Sequence, residues 1–268
     1  MKIMQKSQIA LLCSVIGAGF VATSAVAGTV TTEGSTSMEK VIGVLSESFH
    51  KANPKIEVTY SPTGSGAGIT SVSEGRCDIG LSSRALKDAE KTKLNETVIA
   101  LDGIVMIVNK ANYVKDLTVD QIRSVYTGYV KNWKEVGGPD KPIVLIGREA
   151  GSGTRDGFES ATDTKNRCLY RQELTSTGDV IATVAKNKNA IGYASLSAVS
   201  PKVKALTVNG VAATEKNILD QKYKLQRPFV FVTKRDVEPR SDVSAFILYA
   251  TQGAAADLYK KAGVIPLK

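Results

Sequence analysis

The chain alternates apolar segments of strand length with segments of helical period, and this alternation constrains its fold more than any other feature. Helical spacing of apolar side chains is clearest at residues 38–49 and 243–254, with shorter stretches at 119–125 and 180–185. The strand-like segments are residues 30–32, 56–60, 79–81, 98–108, 143–146, 191–194 and 229–232. Strands that alternate with helices predict an α/β fold with largely parallel sheets.

Three joins between a strand and the next helix share a composition of glycine, serine and threonine. They read GSTS at residues 34–37, GSGAG at 64–68 and GSGT at 151–154, and a weaker case, STGD, lies at 176–179. Each places unpaired backbone N–H groups and hydroxyls at a helix N-terminus, where glycine lets a ligand approach closely. Helix capping and turn formation explain any one such loop equally well. Three together, with Arg148 just before the third, predict a cage of donors for a small tetrahedral anion.

Residues 1–27 have the pattern of a cleaved secretory signal peptide. Lys2 and Lys6 precede an apolar run at 9–22, and Ala25-Val26-Ala27 ends the segment with small side chains. A membrane anchor is the alternative, but glycine and serine interrupt the run and leave it short for a span of about 20 apolar residues. Without the two lysines the net charge falls from +9 to +7, which favours anionic ligands without naming one.

Several functional classes lack the residues that they need. The chain is 6% aromatic and its basic residues are scattered, so a nucleic-acid surface is not indicated. The motifs GxxxxGK[ST], GxGxxG and GxSxG do not occur. His50 is the one histidine and gives little support to a metal site or a Ser-His-Asp triad. Cys77 and Cys168 remain after export, and the sequence allows either a disulfide or two free thiols.

Four stretches resemble the exported phosphate-binding proteins of high-affinity phosphate ABC transporters. They are TTEGSTSM at residues 31–38, YSPTGSGAGI at 60–69, CDIGLSSR at 77–84 and REAGSGTR at 148–155, and the tail at 245–267 is also similar. The resemblance implies an α/β periplasmic-binding-protein fold of type II, with two lobes, two mixed sheets flanked by helices and a two-strand hinge. It also implies a periplasmic monomer that binds inorganic phosphate, works with membrane permease subunits, and has no metal, cofactor, nucleic-acid partner or catalytic activity.

The phosphate contacts of that family fall on the three loops and on one residue outside them. The implied set is Thr36, Ser37, Ser65, Ser83, Arg148, Ser152, Gly153 and Thr154. Ser83 stands where many relatives have an aspartate that accepts the phosphate proton, so this chain needs another acceptor. Glu149 and Asp179 are the candidates, although Glu149 could instead orient an arginine such as Arg84.

The likeness also implies where the lobes divide. Lobe 1 would take residues 28–104 plus 231–268 and lobe 2 residues 105–230, with the chain crossing near 102–109 and 227–233. Three alternatives stay open: a binding protein for another oxyanion such as sulfate, molybdate or a phosphonate, an exported serine hydrolase, and an adhesive or signalling protein that has kept the fold. The hydrolase would need a base beside Ser65 or Ser152.

Overall fold

Strands and helices alternate along residues 28–267, the part of the chain that the computed structural model describes. The predicted signal peptide lies outside these residues. The strands are β1 (Gly28–Gly34), β2 (Ile56–Ser61), β3 (Ile79–Ser82), β4 (Leu94–Val108), β5 (Asp116–Leu117), β6 (Val144–Arg148), β7 (Gln172–Leu174), β8 (Ala190–Ser195), β9 (Lys204–Ala205), β10 (Thr207–Val208), β11 (Gln226–Lys234) and β12 (Ile265–Pro266). The helices are α1 (Glu39–Ala52), α2 (Ser65–Glu74), α3 (Asp88–Lys91), α4 (Val119–Tyr126), α5 (Gly153–Ala161), α6 (Thr177–Lys186), α7 (Glu215–Leu219), α8 (Ser241–Thr251) and α9 (Ala256–Ala262). Short 3-10 helices lie at Thr36–Met38, Trp133–Val136, Leu196–Ala198 and Gly253–Ala255. The predicted α/β fold is confirmed.

Each strand predicted from an apolar segment is present, with bounds that differ by a few residues. The short strands β5, β7, β9, β10 and β12 were not predicted, because two or three residues carry no periodicity. The helix predicted over residues 243–254 is wrong at its end. It stops at Thr251, since Gln252 takes extended backbone angles, and a 3-10 turn follows at Gly253–Ala255.

Strands β4 and β11 join the two halves of the main sheet. The strand order is β2–β1–β3–β11–β4–β8–β6–β7. Residues 94–103 of β4 pair with residues 226–234 of β11, and residues 104–108 of β4 pair with β8, all antiparallel. The pairs that β1 forms with β2 and β3, and those that β6 forms with β7 and β8, are parallel. The two predicted mixed sheets are therefore continuous through β4 and β11, and β5 and β10 form a small separate sheet.

Two large apolar clusters form most of the core of the described residues. One takes its side chains from residues 30–100 and 229–264, with Phe49, Phe231 and Phe246 among them. The other takes its side chains from residues 104–225 and from Ile265, with Trp133 among them. The clusters separate along β4 and β11, close to the predicted lobe bounds, and the bounds themselves stay a prediction.

Two observations concern membranes and cysteines. Within residues 28–267, no helix is long and apolar enough to cross a membrane. Cys77 is buried, Cys168 is half-buried, and both are free thiols. Burial raises the pKa of both thiols, so neither is an activated nucleophile.

Candidate anion-binding site

The glycine-rich loops meet where four strands end and the next helices begin. β1 leads through the 3-10 turn at Thr36–Met38 into α1, β2 into α2, β6 into α5 and β7 into α6. Gly34 makes the first of these turns possible, because its φ is +140° and a Cβ there would lie 2.2 Å from the carbonyl oxygen of Leu81. Two loops touch directly, since Gly66 N donates to Gly151 O at 2.9 Å. The N-termini of these helices therefore lie close together, and the buried junction between them is here called the cleft.

Buried hydroxyls line this cleft on both sides. Ser37 Oγ lies 2.9 Å from Thr154 Oγ1 and 3.1 Å from Thr177 Oγ1. Thr36 Oγ1 lies 3.3 Å from Thr177 Oγ1 and accepts from the Thr177 N–H at 3.3 Å. Each of these hydrogen bonds joins residues more than 100 positions apart, so the fold brings the first loop against the third and fourth.

A second pair of hydroxyls lies beside the start of α5. Ser65 Oγ is 3.2 Å from Ser83 Oγ and accepts from the Ser83 N–H at 3.1 Å. A Cβ on Gly153 would lie 2.5 Å from Ser65 Oγ and 2.6 Å from Ser83 Oγ, so the glycine is required for this close approach. Ser152 caps α5 by accepting from the Arg155 N–H at 3.3 Å, and its hydroxyl proton remains for another acceptor.

Arg148 is fixed in the cleft by its protein partners. It is 2% exposed. Nε donates to Leu174 O at 3.0 Å, Nη2 to Thr175 O at 2.8 Å and to Glu149 Oε1 at 2.9 Å, and Nη1 to Thr177 Oγ1 at 3.2 Å. A guanidinium carries five N–H groups. One N–H of Nη1 therefore remains for a ligand beside the hydroxyl cluster.

A second buried guanidinium, Arg227, was not predicted as a site residue. It is 4% exposed and forms an ion pair with Asp102 at 2.9 Å. Its other N–H groups donate to Ser37 Oγ at 3.1 Å and Ser83 Oγ at 3.0 Å, and Asp102 also accepts from Ser195 Oγ at 2.9 Å. Burial raises the pKa of Asp102, although Arg227 and Ser195 oppose the shift. Burial lowers the pKa of Arg227, and its ion pair and hydrogen bonds with Asp102 oppose that shift.

The structure brings the predicted site residues together. Loops, helix N-termini and the end of β6 supply Thr36, Ser37, Ser65, Ser83, Arg148, Ser152, Gly153 and Thr154. Their contact with an anion stays a prediction. Sequence reasoning missed Thr177, because the fourth loop carries two adjacent hydroxyl residues and only the fold shows which one faces the cleft. Ser176 instead caps α6.

The structure separates the two carboxylates proposed as proton acceptors. Asp179 is exposed and accepts from Ser176 at 2.7 Å, away from the buried hydroxyls. Glu149 Oε1 accepts from Arg148, and its Oε2 is buried without a hydrogen-bond partner in the described structure. Glu149 thus orients Arg148, and the suggestion that it orients Arg84 is wrong, since Arg84 pairs with other carboxylates.

Within residues 28–267, the side chains that a metal site or a serine hydrolase would need do not lie together. Residues 28–267 contain no group of three or more His, Cys, Asp or Glu that could hold a metal ion. His50 is exposed near the end of α1, and its Nδ1 lies 2.9 Å from Ile56 O. The contacts of Ser65 are with Ser83 and those of Ser152 with α5, so neither serine has a histidine beside it.

Comparisons with known proteins agree with this architecture. A family model described as a PBP superfamily domain matches residues 21–253. A solved structure from Clostridium perfringens, assigned as a phosphate ABC transporter substrate-binding protein and holding bound phosphate, is 40% identical, covers 90% of this chain and 100% of its own, and superposes with a TM-score of 0.86. The phosphate-binding protein PstS of Bacillus subtilis is 34% identical over 201 residues, which are 73% of this chain and 67% of the relative. The chain belongs to the phosphate-binding proteins.

A further member of the phosphate-binding proteins extends the likeness. The ABC-type phosphate transport receptor from Vibrio cholerae is 33% identical, covers 89% of this chain and 100% of its own, and has a TM-score of 0.73. The periplasmic-binding-protein fold expected from the sequence is thus confirmed.

Proposed function

We propose that this protein binds inorganic phosphate outside the cytoplasm and delivers it to the membrane permease of an ABC importer. The observation that carries the proposal is the cleft in which four helix N-termini, buried hydroxyls and Arg148 converge. Hydrogen bonds from charged donors and N–H groups at helix N-termini are the interactions that hold small oxyanions without a metal. Phosphate is the anion present in the similar structure from Clostridium perfringens.

The working cycle follows from the two strands that join the halves of the sheet. Residues 28–104 with 231–268 would form one lobe and residues 105–230 the other, and the lobes would close about β4 and β11 when phosphate binds. The permease would recognise the closed form. Signal cleavage after Ala27 would release a periplasmic monomer with no nucleic-acid partner.

Calorimetric titration of residues 28–268 with phosphate tests the proposal. The protein is first unfolded and refolded to remove bound ion, and its fold is verified. We expect one phosphate per chain with high affinity, retained in excess sulfate, and weaker binding of molybdate and phosphonates. Folded, ligand-free protein that does not bind phosphate would exclude this function.

We further propose that the protein has no catalytic activity. The hydrolase alternative needs a base, and the one histidine of the sequence, His50, is engaged with Ile56 O at the end of α1. Assays with generic phosphate and acyl esters should give no turnover, and His50→Ala should leave phosphate affinity unchanged. Turnover that depends on Ser65 or Ser152 would contradict this proposal.

A further inference from the structure

Arg148 is held by its backbone as well as by its guanidinium. β6 pairs with β8 through Val144 and Leu145, and the ladder between these two strands ends there. Three residues further along β6, the Arg148 N–H donates to the hydroxyl of Tyr193, on β8, at 3.2 Å. Tyr193 is 0% exposed, and its ring stacks on Phe158 of α5 with the centroids 4.2 Å apart. A buried N–H needs an acceptor, and here a side chain supplies it.

The hydroxyl of Tyr193 begins a chain of hydrogen bonds that runs in one direction. It lies 3.1 Å from the hydroxyl of Tyr170, which donates to Glu159 Oε1 at 3.0 Å. Each phenol has one proton, and a carboxylate oxygen can only accept. The Tyr170 proton is therefore used on Glu159, and the Tyr193 proton is left to donate to Tyr170. The chain thus connects the Arg148 N–H, through two hydroxyls, to a carboxylate that is 3% exposed.

Arg155 closes this chain into a ring around residue 148. Its Nε donates to Glu159 Oε1 at 2.8 Å, and its Nη1 donates to the Arg148 carbonyl at 2.9 Å. Its guanidinium also lies over the side chain of Tyr170, 4.8 Å from the ring centroid. The N–H of Arg148 is thus bound to α5 through the two tyrosines, and its C=O is bound to α5 directly. The four side chains of Tyr193, Tyr170, Glu159 and Arg155 are here called the Arg148 ring.

The helix that holds the Arg148 ring is also the helix whose N-terminus belongs to the predicted site. α5 begins at Gly153, flanked by the hydroxyls of Ser152 and Thr154. An anion in the cleft would accept from Nη1 of Arg148 and from donors at this N-terminus. Hydrogen bonds weaken steeply as they bend, so both sets of donors bind one ligand only while β6 and α5 keep a fixed relative position.

We propose that Tyr193, Tyr170 and Glu159 are positioning residues for the anion site. They hold the backbone of Arg148 against α5, so that its remaining guanidinium N–H and the helix N-terminus bind the same anion. The hydrogen bonds of the two tyrosines lead to the Arg148 backbone and to Glu159, and they act on a ligand through Arg148. The inference rests on the proposed function and extends the site beyond the three loops.

A purely structural role in the core is the rival explanation. Tyr193 belongs to the apolar cluster around Trp133, and Tyr170 packs against the same cluster. Tyr126, another member, buries a hydroxyl that has no hydrogen-bond partner in the described structure. Burial of a tyrosine ring in this cluster therefore does not by itself require that its hydroxyl be bonded. The aligned hydroxyls that end on Arg148 favour positioning.

Tyr193→Phe is the decisive variant, because it keeps the stacked ring and removes the acceptor of the Arg148 N–H. Calorimetric titration measures phosphate affinity, and the melting temperature of the ligand-free protein measures stability. We expect affinity to fall about three- to ten-fold, the scale of one hydrogen bond. Tyr170→Phe should lower it about two- to five-fold, because the Tyr193 proton loses its acceptor, and it decides the question if Tyr193→Phe does not fold. Unchanged affinity in the deciding variant would overturn the inference.

Coupling to Arg148 separates positioning from a structural role. In an Arg148→Ala background the guanidinium that the Arg148 ring positions is absent. Tyr193→Phe should therefore change phosphate affinity less than about two-fold in that background, although it lowers affinity in the wild type. The same loss in both backgrounds would show that Tyr193 does not act through the guanidinium, and the inference would be wrong.

Two tyrosine variants control for the loss of a buried hydroxyl. Tyr126→Phe removes the unpartnered hydroxyl from a ring 6.1 Å from that of Tyr193 and should leave phosphate affinity unchanged. Tyr259→Phe removes a hydrogen bond to Ala250 O in the other large apolar cluster, and should lower the melting temperature without changing affinity. A loss of affinity in either control as large as in Tyr193→Phe would reject the inference. Wild-type protein that does not bind phosphate would instead reject the proposed function, on which the inference rests.

Discussion

At the scale of single residues, Arg148 carries the charge that the proposed site offers directly to an anion. Its guanidinium is held by Leu174, Thr175 and Glu149, so little conformational freedom is lost when a ligand binds. Arg148→Ala should weaken phosphate binding by about 1.5–3 kcal/mol, roughly ten-fold to more than a hundred-fold, the scale of a hydrogen bond to a charged group. Calorimetric titration measures this loss. Ser152→Ala is the comparison and should cost less, because the N–H donors around it remain. Unchanged affinity in Arg148→Ala would remove the third loop from the site.

Gly153 limits how closely the cleft can close. An added Cβ would lie 2.5 and 2.6 Å from the hydroxyls of Ser65 and Ser83, distances that require those groups to move. Gly153→Ala should therefore lower phosphate affinity at least about ten-fold, on the scale of the 1–3 kcal/mol that overpacking costs, with little change in the melting temperature of the ligand-free protein. Gly253→Ala is the control, since a Cβ at that glycine meets no atom within 4 Å. Equal affinities for the two variants would show that the serines do not approach α5 in the bound form.

Single charged residues show how far the sequence could predict the site. Asp102 interrupts an apolar strand, and such an interruption indicates a buried charge that needs a partner, whereas Arg227 lies before the apolar segment at 229–232. The sequence does not say that they pair, because 125 positions separate them and the register of β4 against β11 brings them opposite each other. The loop residues were easier to predict, since their glycine and hydroxyl pattern is local.

At the scale of elements, replacing each of two helix glycines with alanine should change the stability of the protein in opposite directions. A Cβ on Gly43, on the exposed face of α1, meets nothing within 4 Å, whereas a Cβ on Gly68 in α2 would lie 2.3 Å from Glu33 O. Gly43→Ala should stabilise the protein by about 0.5–1 kcal/mol by raising helix propensity. Gly68→Ala should destabilise it by about 1–3 kcal/mol by overpacking. Urea unfolding of both variants measures the changes, and the same sign for both would contradict the packing of α2 on β1.

The elements also show why the long helices and strands could be predicted from the sequence and the shortest strands could not. α1 could be predicted because Val41, Ile42, Leu45 and Phe49 bury one helical face. β4 could be predicted because its second half is a continuous buried run. Strands of two or three residues depend on their neighbours in the sheet, and a local pattern cannot indicate them.

At the scale of the whole molecule, contacts across the cleft would hold the proposed closed form. Arg84, on the side of the cleft formed by β3, binds Glu90 at 2.7 Å and also reaches Asp156 on α5 at 2.9 Å. Burial alone would raise the pKa of Glu90, but the hydrogen bonds from Arg84 and from the Lys87 N–H, with the charges of both residues, outweigh it, and the pKa lies below its ordinary value. Glu90 thus holds the Arg84 side chain in place, so that Arg84 can bind Asp156 when the cleft closes.

Asp156→Asn should therefore favour the open form without removing any proposed phosphate contact. We expect phosphate affinity to fall about two- to five-fold, the scale of a partly exposed ion pair, mainly through faster dissociation measured by stopped flow. Asp163→Asn is the control, because Asp163 pairs with Arg123 and Arg167 on one side of the cleft. Small-angle scattering of the wild type should show a smaller radius of gyration with phosphate than without it. If phosphate leaves the radius unchanged and Asp156→Asn dissociates at the wild-type rate, the lobes do not close about β4 and β11, and the site would have to form without hinge motion.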